Sequence, residues 1–585
     1  MQARWPIAAA GATVALVVVL ATSASAQPRR GSDDYGGGRA TAYRVKLGGN
    51  GTGRQRGRIG NPRDRDDFKF VSPIGGWLLI RVDVPAHGSL HPRLSAFGAG
   101  KARIVKRVPC CGRSDSKLVL RVERGLTYYV QVTGDHGTVG PYVLDIGRSG
   151  PLGRQPNLVL ILTDDQSFES VAKMPYVSSL KSWDTFDHAY INNATCCPSR
   201  ATILTGLWSH HHGVEESNAA PRFDDRSTLA TWLHAAGYRT ELVGKYHLGT
   251  VDETASDTYI PPGWDGWYAW HGMSSRQAYY DYTLNENGKL VSYGSAPDDY
   301  STDVLAKEAV RFIDANADQT PFFLYFAPRG PHNPWTAAPR DLHAFADLPV
   351  PHSPNYDEAD MSDKPAWWRA LTVRKSENTD GAVRKEYATL LSIDDAVKAI
   401  VAALRSKQLM DDTVIVFMTD NGYSFGSHRY VGKVCAYEEC NHTPFLVWYP
   451  GAGGRKVDDI VSNADIAPTF AELAGIDPGA PVDGRSFVPL LLGPAPPDWP
   501  EEVLLRGVHH VDAEGTRIPT FWGLRTLQYK YIETVDTGEV ELYDLARDPY
   551  ELRNVADDPG YATIRDDLAQ RLRRMRSAPP HRPDG

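Results

Sequence analysis

Cysteine is scarce in this chain: six among 585 residues, too few to hold a fold of that length together by disulfides. Stability has to come instead from buried apolar surface, which a chain well above the size of one domain can supply, with room for several domains. Long apolar runs are almost as rare. After residues 7–21 no run reaches the length of a membrane span, so none is expected in the mature chain. Internal repeats are absent, which excludes a repeat architecture. Basic charge is not in excess either: the formal net charge is −8, and no nucleic-acid partner is expected.

What is present is partitioned along the chain. Arg4, the apolar residues 7–21 and Ser25-Ala26 predict a signal peptide over residues 1–26, with an uncleaved anchor as the weaker alternative, so a secreted, extracytoplasmic protein is expected. Residues 27–40, mostly Gly, Arg, Ser and Asp, read as a flexible linker. Residues 41–150 hold short runs at 68–70, 77–84, 117–122, 128–132 and 142–146 between Gly and Pro, predicting a β-sandwich accessory domain. Residues 27–150 carry 22 Lys and Arg against 10 Asp and Glu, while the remainder is acidic. From 155 to 495 the texture turns α/β, with continuous apolar strands at 157–162 and 413–418. Helices are expected from a Ser227 cap to Gly237 and over about 386–404. Residues 496–577 predict a smaller α+β subdomain, with alternating runs at 523–532 and 540–545 and an amphipathic helix at 564–575. Residues 578–585 are expected to be disordered. Cys435 and Cys440 can close a short loop, and Cys110 and Cys111 can pair elsewhere, but connectivity stays open.

Both buried strands end in acids: Asp164-Asp165 after the first and Asp420-Asn421 after the second. Sites in open α/β sheets gather beyond the carboxyl ends of strands, and hard oxygen donors of this kind suit calcium or magnesium. Alone, Asp420-Asn421-Gly422 also reads as a hairpin turn and Asp164-Asp165 as a capping turn. The sharpest signal is Cys196-Cys197-Pro198-Ser199-Arg200. Pro198 suits the first turn of a helix, which puts Cys196 at a helix N-terminus where an anion is favoured, with the permanent charge of Arg200 nearby.

That segment resembles the signature of type I sulfatases, in which the first cysteine of Cys-x-Pro-x-Arg is converted to formylglycine; on this resemblance the converted residue is Cys196. The resemblance implies an alkaline-phosphatase-like mixed sheet flanked by helices, one calcium ion on Asp164, Asp165, Asp420 and Asn421 together with the converted Cys196, and a formylglycine-generating enzyme as partner. The hydrated aldehyde is a geminal diol: one oxygen attacks sulfur, and the other hydroxyl later expels sulfate, an exit that serine lacks. Gly244-Lys245-Tyr246-His247 resembles the family segment whose lysine holds sulfate and whose histidine removes a proton. Pro331-His332-Asn333-Pro334 resembles the element whose histidine protonates the leaving oxygen, and Gly432-Lys433 with Tyr437-Glu438 a second sulfate-binding lysine segment. Ser427-His428-Arg429 departs from the family pattern, and His428 is left outside the core site.

Within the family the likeness is to glucosamine-6-sulfatases and heparan 6-O-sulfatases. It rests on Cys196-Cys197, on the stretches 263–268 and 280–284, and on 334–339. The resemblance implies a sulfated sugar or polysaccharide as substrate. An arylsulfatase, a phosphonate or phosphate ester hydrolase of the same superfamily, and a non-catalytic sulfated-glycan binding protein are the competing readings. Trp264, Trp267 and Trp335 read as structural aromatics before sugar platforms. The basic residues 41–150 either hold an anionic polymer or dock on the acidic catalytic domain. His210-His211-His212 lacks partners at metal spacing and reads as a turn. Asn193-Ala194-Thr195 and Asn441-His442-Thr443 are glycosylation sequons.

Overall fold

All seven residues of Asn157–Thr163 and all seven of Thr413–Thr419 are buried, as strands covered on both faces must be. Alternation then splits them: Leu158, Leu160 and Leu162 enter one apolar cluster, Val159 and Ile161 another on the opposite face. The two strands pair in parallel and in step, from Asn157 opposite Thr413 to Thr163 opposite Thr419, so their carboxyl ends coincide. They lie at the centre of a ten-stranded mixed sheet. Phe322–Ala327, Arg239–Gly244 and Gly266–His271 continue it in parallel on one side, and Phe445–Trp448 pairs antiparallel on the other. Helices Cys196–Thr205, Leu229–Ala235 and Ile466–Ala474 pack on one face, Ser301–Asn316 and Ser376–Ser406 on the other. This is the alkaline-phosphatase-like α/β class that the resemblance implied.

This computed structural model describes Tyr35 and residues 41–581, apart from 49–51, 74–75, 86–87, 99–103, 109–114, 123, 149–154, 248–255, 273–277, 319–320, 372–375, 452, 497 and 512–516. The expected signal peptide, the linker other than Tyr35, Cys110 and Cys111, and residues 582–585 therefore lie outside the described residues. Among the described residues no helix is long and apolar enough to cross a membrane.

Two sheets, antiparallel except for Tyr43–Arg44 beside Arg65–Val71, form the N-terminal sandwich. One runs Gly53–Ile59, Gly140–Arg148, Gly76–Asp83, Asp115–Val122; the other places Arg65–Val71, Thr127–Gly134 and Pro92–Phe97 side by side. Phe68, Phe70, Leu78, Ile80, Val130 and Leu144 fill the space between them. Gly53–Ile59 was not foreseen, because only Gly57 and Ile59 of it are buried and no apolar alternation marks it.

At the other end, Glu502–Gly507, Phe521–Thr526, Tyr529–Thr534 and Val540–Asp544 form an antiparallel sheet. The single run expected over 523–532 is in fact two strands of a hairpin, since the chain reverses after Thr526 and Gly523 pairs with Ile532. Helix Ala562–Ser577 seats Leu568 and Leu572 against Leu504, Leu524 and Leu542, each leucine contributing about 1.5–3 kcal/mol by its burial. The sheet's other face, through Val503, Leu505, Ile532 and Tyr543, covers Tyr430, Val434 and Tyr437.

Two local expectations change. The helix placed at Ser227 is capped one residue later by Thr228, which exchanges hydrogen bonds with Thr231, while Ser227 Oγ accepts from Trp232 Nε1 at 3.0 Å. The terminal segment expected to be disordered is tied down as far as His581, whose N–H donates to the Val482 carbonyl at 2.8 Å and whose carbonyl accepts from Val482.

Candidate active site

Four neighbouring strands deliver their following residues to one place. Asp164-Asp165 leave Asn157–Thr163, Asp420-Asn421 leave Thr413–Thr419, Lys245 leaves Arg239–Gly244, and His332 lies in the loop after Phe322–Ala327. Gly244 makes the turn to Lys245 feasible: its φ is 127°, and a Cβ there would lie 2.0 Å from the Ala327 carbonyl oxygen. Asp165 adopts a left-handed φ of 61°, rare for a residue with a side chain, and its N–H donates to Asp420 Oδ1 at 3.2 Å.

Cys196 is the first residue of the buried helix Cys196–Thr205, and Pro198 lies in its first turn. The free N–H groups of that turn and the dipole favour negative charge. Its Sγ lies 3.5 Å from Asp164 Oδ1 and 2.7 Å from Lys433 Nζ, and Lys433 also reaches Asp165 Oδ1 at 2.5 Å. Lys245 pairs with Asp164. Arg200 donates from Nε to Asp420 at 2.8 Å and from Nη1 to the Lys245 carbonyl at 2.7 Å. His332 Nδ1 donates to the Asn333 carbonyl at 2.7 Å, which leaves Nε2 facing Asp165 at 3.5 Å. His247 is buried, and neither ring nitrogen has a hydrogen-bond partner among the described residues. All four residues of the two acid pairs are buried, and the pairs are joined by the Asp165 N–H on Asp420 and the Asn421 amide on Asp165.

The charges are tuned by this packing. Burial pushes the Cys196 thiol up to about 12 against the pull of Lys245 and Lys433, so the unmodified side chain is a thiol and a weak nucleophile at neutral pH. Burial would also raise Asp164, but Lys245, His332, Arg200 and Lys433 together hold it well below the usual carboxylate range. Burial lowers His332 to about 4 despite Asp165 and Asp164, and it lowers His247 strongly with help from Arg200. Both imidazoles are therefore neutral.

A sulfatase family model matches residues 156–476, and one for the C-terminal region of N-sulphoglucosamine sulphohydrolase matches residues 426–578. The chain belongs to the sulfatase family. It is accordingly a sulfuric ester hydrolase. It is 32% identical over 454 residues to the N-acetylglucosamine-6-sulfatase of Homo sapiens, covering 69% of this chain and 81% of that one. It is 35% identical over 376 residues to an extracellular sulfatase homologue of Drosophila melanogaster, of which the match spans only 33%. A solved structure of BT4656 in complex with its substrate D-glucosamine-2-N,6-O-disulfate superposes with a TM-score of 0.65 at 25% identity, covering 73% of this chain and 99% of that one.

Around the centre of this sulfatase lie residues that the sequence did not single out. Tyr279 donates its hydroxyl to the His332 carbonyl at 2.5 Å, and Arg329, buried three residues before His332, approaches its Nδ1 at 3.5 Å. Only nearness in sequence could have flagged them, Arg329 to His332 and Tyr279 to the stretch 280–284. Trp264 and Trp267 are core residues beside Tyr246, whereas Trp335 is half-buried next to His332 against Tyr423 and Phe425. His428 lies outside the centre, bonded to Glu358 at 2.6 Å.

The histidine tract is the short helix Ser209–His212: His211 pairs with Asp483 at 2.8 Å, and His212 bonds Thr202 at 3.0 Å. Cys435 and Cys440 form a disulfide. Neither sequon offers a site in the folded protein, because Asn193 and Asn441 are fully buried and donate to backbone carbonyls.

Proposed function

We propose that this sulfatase removes sulfate from glucosamine-type sugars, 6-O-sulfate foremost, outside the cytoplasm, with Cys196 converted to formylglycine and calcium as the ion. The observation that carries this is Cys196 at the mouth of a buried helix, ringed by Asp164, Lys433 and Lys245, with unpartnered polar atoms beside it. The 6-O-sulfated glucosamine bound to BT4656 and the name of the human relative support the sugar and the position. The N-terminal sandwich, the catalytic body and the C-terminal sheet with its helix are read as three modules bounded near residues 150 and 495.

The chain's own groups divide the work. Asp164, Asp165, Asp420 and Asn421 would hold the cation: they are hard oxygen donors, those of Asp164 and Asp165 cluster with Cys196 and His332, and among the described residues Asn421 Oδ1 is buried without a partner, an acceptor that a cation satisfies. Bound there, calcium supplies polarisation of sulfuryl oxygens and a lowered pKa for a nearby hydroxyl. Formylglycine supplies, as its hydrate, one oxygen to take the sulfuryl group and a second to release it. Lys245 and Lys433 neutralise charge spreading over the sulfate oxygens. Arg200 fixes Asp420 and the Lys245 backbone. His247, neutral and without a partner among the described residues, accepts the proton of the second hydroxyl. His332 presents Nε2 to the leaving oxygen, and an anionic substrate beside it favours the protonated form needed to donate.

The test is a comparison of glucosamine 6-sulfate with its other positional isomers, an aryl sulfate, and the matching phosphate and phosphonate. Fastest turnover of the 6-sulfate is expected; faster phosphonate turnover would overturn the assignment.

A further inference from the structure

We infer that the outer face of the N-terminal sheet at its edge strand Gly53–Ile59 is a second, non-catalytic binding site, which takes sulfated polysaccharide. This rests on the reading of the catalytic centre as one for sulfated sugars. Side chains two apart on a strand share a face roughly 7 Å apart, and here Arg54, Arg56 and Arg58 share the exposed one while Gly57 and Ile59 turn inward. Gly53–Ile59 ends the sheet order; the Tyr35 hydroxyl donates to the Arg56 carbonyl on its free edge at 2.6 Å, while the side chains of Arg54, Arg56 and Arg58 stay exposed.

Its neighbours hardly neutralise it. Across the ladder, Asp145 stands opposite Arg54 and Arg81 opposite Asp145, so this one carboxylate is shared between two guanidinium groups at 3.3 and 3.8 Å. Arg81 also meets Asp83 at 3.0 Å. Arg56 and Arg58 face Val143 and Pro141 instead, and among the described residues no carboxylate pairs with either. Arg54 leaves 68% of its side chain exposed, so the face is not spent on docking against the acidic body.

The ladder's composition points to the ligand. Of the 22 basic residues in 27–150, 17 are arginine, whose planar fork grips sulfate-like oxyanions through paired hydrogen bonds. A straight, regularly spaced row suits an extended polyanion better than one small anion. It also offsets the repulsion that an acidic catalytic body exerts on such a polymer. Charge on an edge strand can serve merely to prevent strand pairing. That role predicts self-association when the charge is removed and no change in polymer binding.

The triple substitution R54Q/R56Q/R58Q in the full chain separates the two. Heparin is the probe, with binding measured by calorimetry across a salt series and the oligomeric state by sedimentation. Turnover of glucosamine 6-sulfate reports that the variant is folded. The expected result is heparin binding weakened by about tenfold to a hundredfold with a shallower salt dependence, in a monodisperse protein of unchanged turnover. Undiminished heparin binding would overturn the proposal. Equal losses for heparin, duplex DNA and anionic vesicles would overturn its assignment to sulfated polymer. Should the glucosamine reading itself be wrong, both proteins would fail to turn over the monosaccharide while the binding difference remained.

Discussion

Two buried charge clusters lie only a few residues apart in sequence around the Lys433 segment, and they are built on opposite principles. In the one beside the C-terminal sheet, Glu438 binds Arg525 at 2.9 Å and Lys530 at 2.7 Å, Lys530 reaches Glu551 at 2.7 Å, and Glu541 accepts from Tyr437 and Tyr543. Its charges are paired with one another, although Lys530 Nζ and Glu551 Oε1 meet as an ion pair without hydrogen-bond geometry. In the other, Asp164, Asp165, Asp420, Lys245, Lys433 and Arg200 crowd a thiol, while His247 and Asn421 Oδ1 keep polar atoms without partners among the described residues. A closed network fixes structure, whereas an open one keeps unsatisfied groups ready for a ligand.

Substitutions can break this contrast. The largest effect is expected at the centre of the open cluster: Cys196→Ala should lower kcat by about four orders of magnitude or more with little change in melting temperature. Lys433→Ala should cost about a hundredfold to a thousandfold in kcat by removing one charge from the developing sulfate oxygens. Lys530→Met tests the closed cluster. Leaving Glu438 and Glu551 buried with one cation fewer should cost about 3–5 kcal/mol in a denaturant titration while the folded fraction keeps its kcat. Equal stability losses at Lys433 and Lys530 would erase the distinction. Calcium chelation should abolish turnover and lower the melting temperature, both restored by added ion.

The smallest effect belongs to a carboxyl in neither cluster. Burial pushes Glu386 up to about 8 despite hydrogen bonds from Ser167. A raised folded pKa means that the folded state binds the proton more tightly, so this stabilisation is full below the unfolded value near 4.3 and is lost as pH rises through about 8. Glu386→Gln should flatten the fall in stability over that window, read from melting temperature against pH.

Much of the open cluster was legible because its parts are local. Strand ends with acids, Cys196 two before Pro198, and Lys245 just after a glycine turn all sit in short motifs. The closed cluster was not, since Glu438 lies about 90 residues and more from Lys530 and Glu551, and their convergence depends on sheet packing. The strand Gly53–Ile59 escaped for another reason: an edge strand with an arginine at every second position shows no apolar period. The cap expected at Ser227 falls on Thr228 instead, because it is Thr228 whose side chain and N–H exchange bonds with Thr231.

The central claim concerns the atom at position 196. Mass spectrometry of the tryptic peptide spanning Cys196, taken from fully active protein, should find an aldehyde in place of one thiol, with Cys197 intact. An ordinary thiol at Cys196 in material of undiminished activity would contradict it.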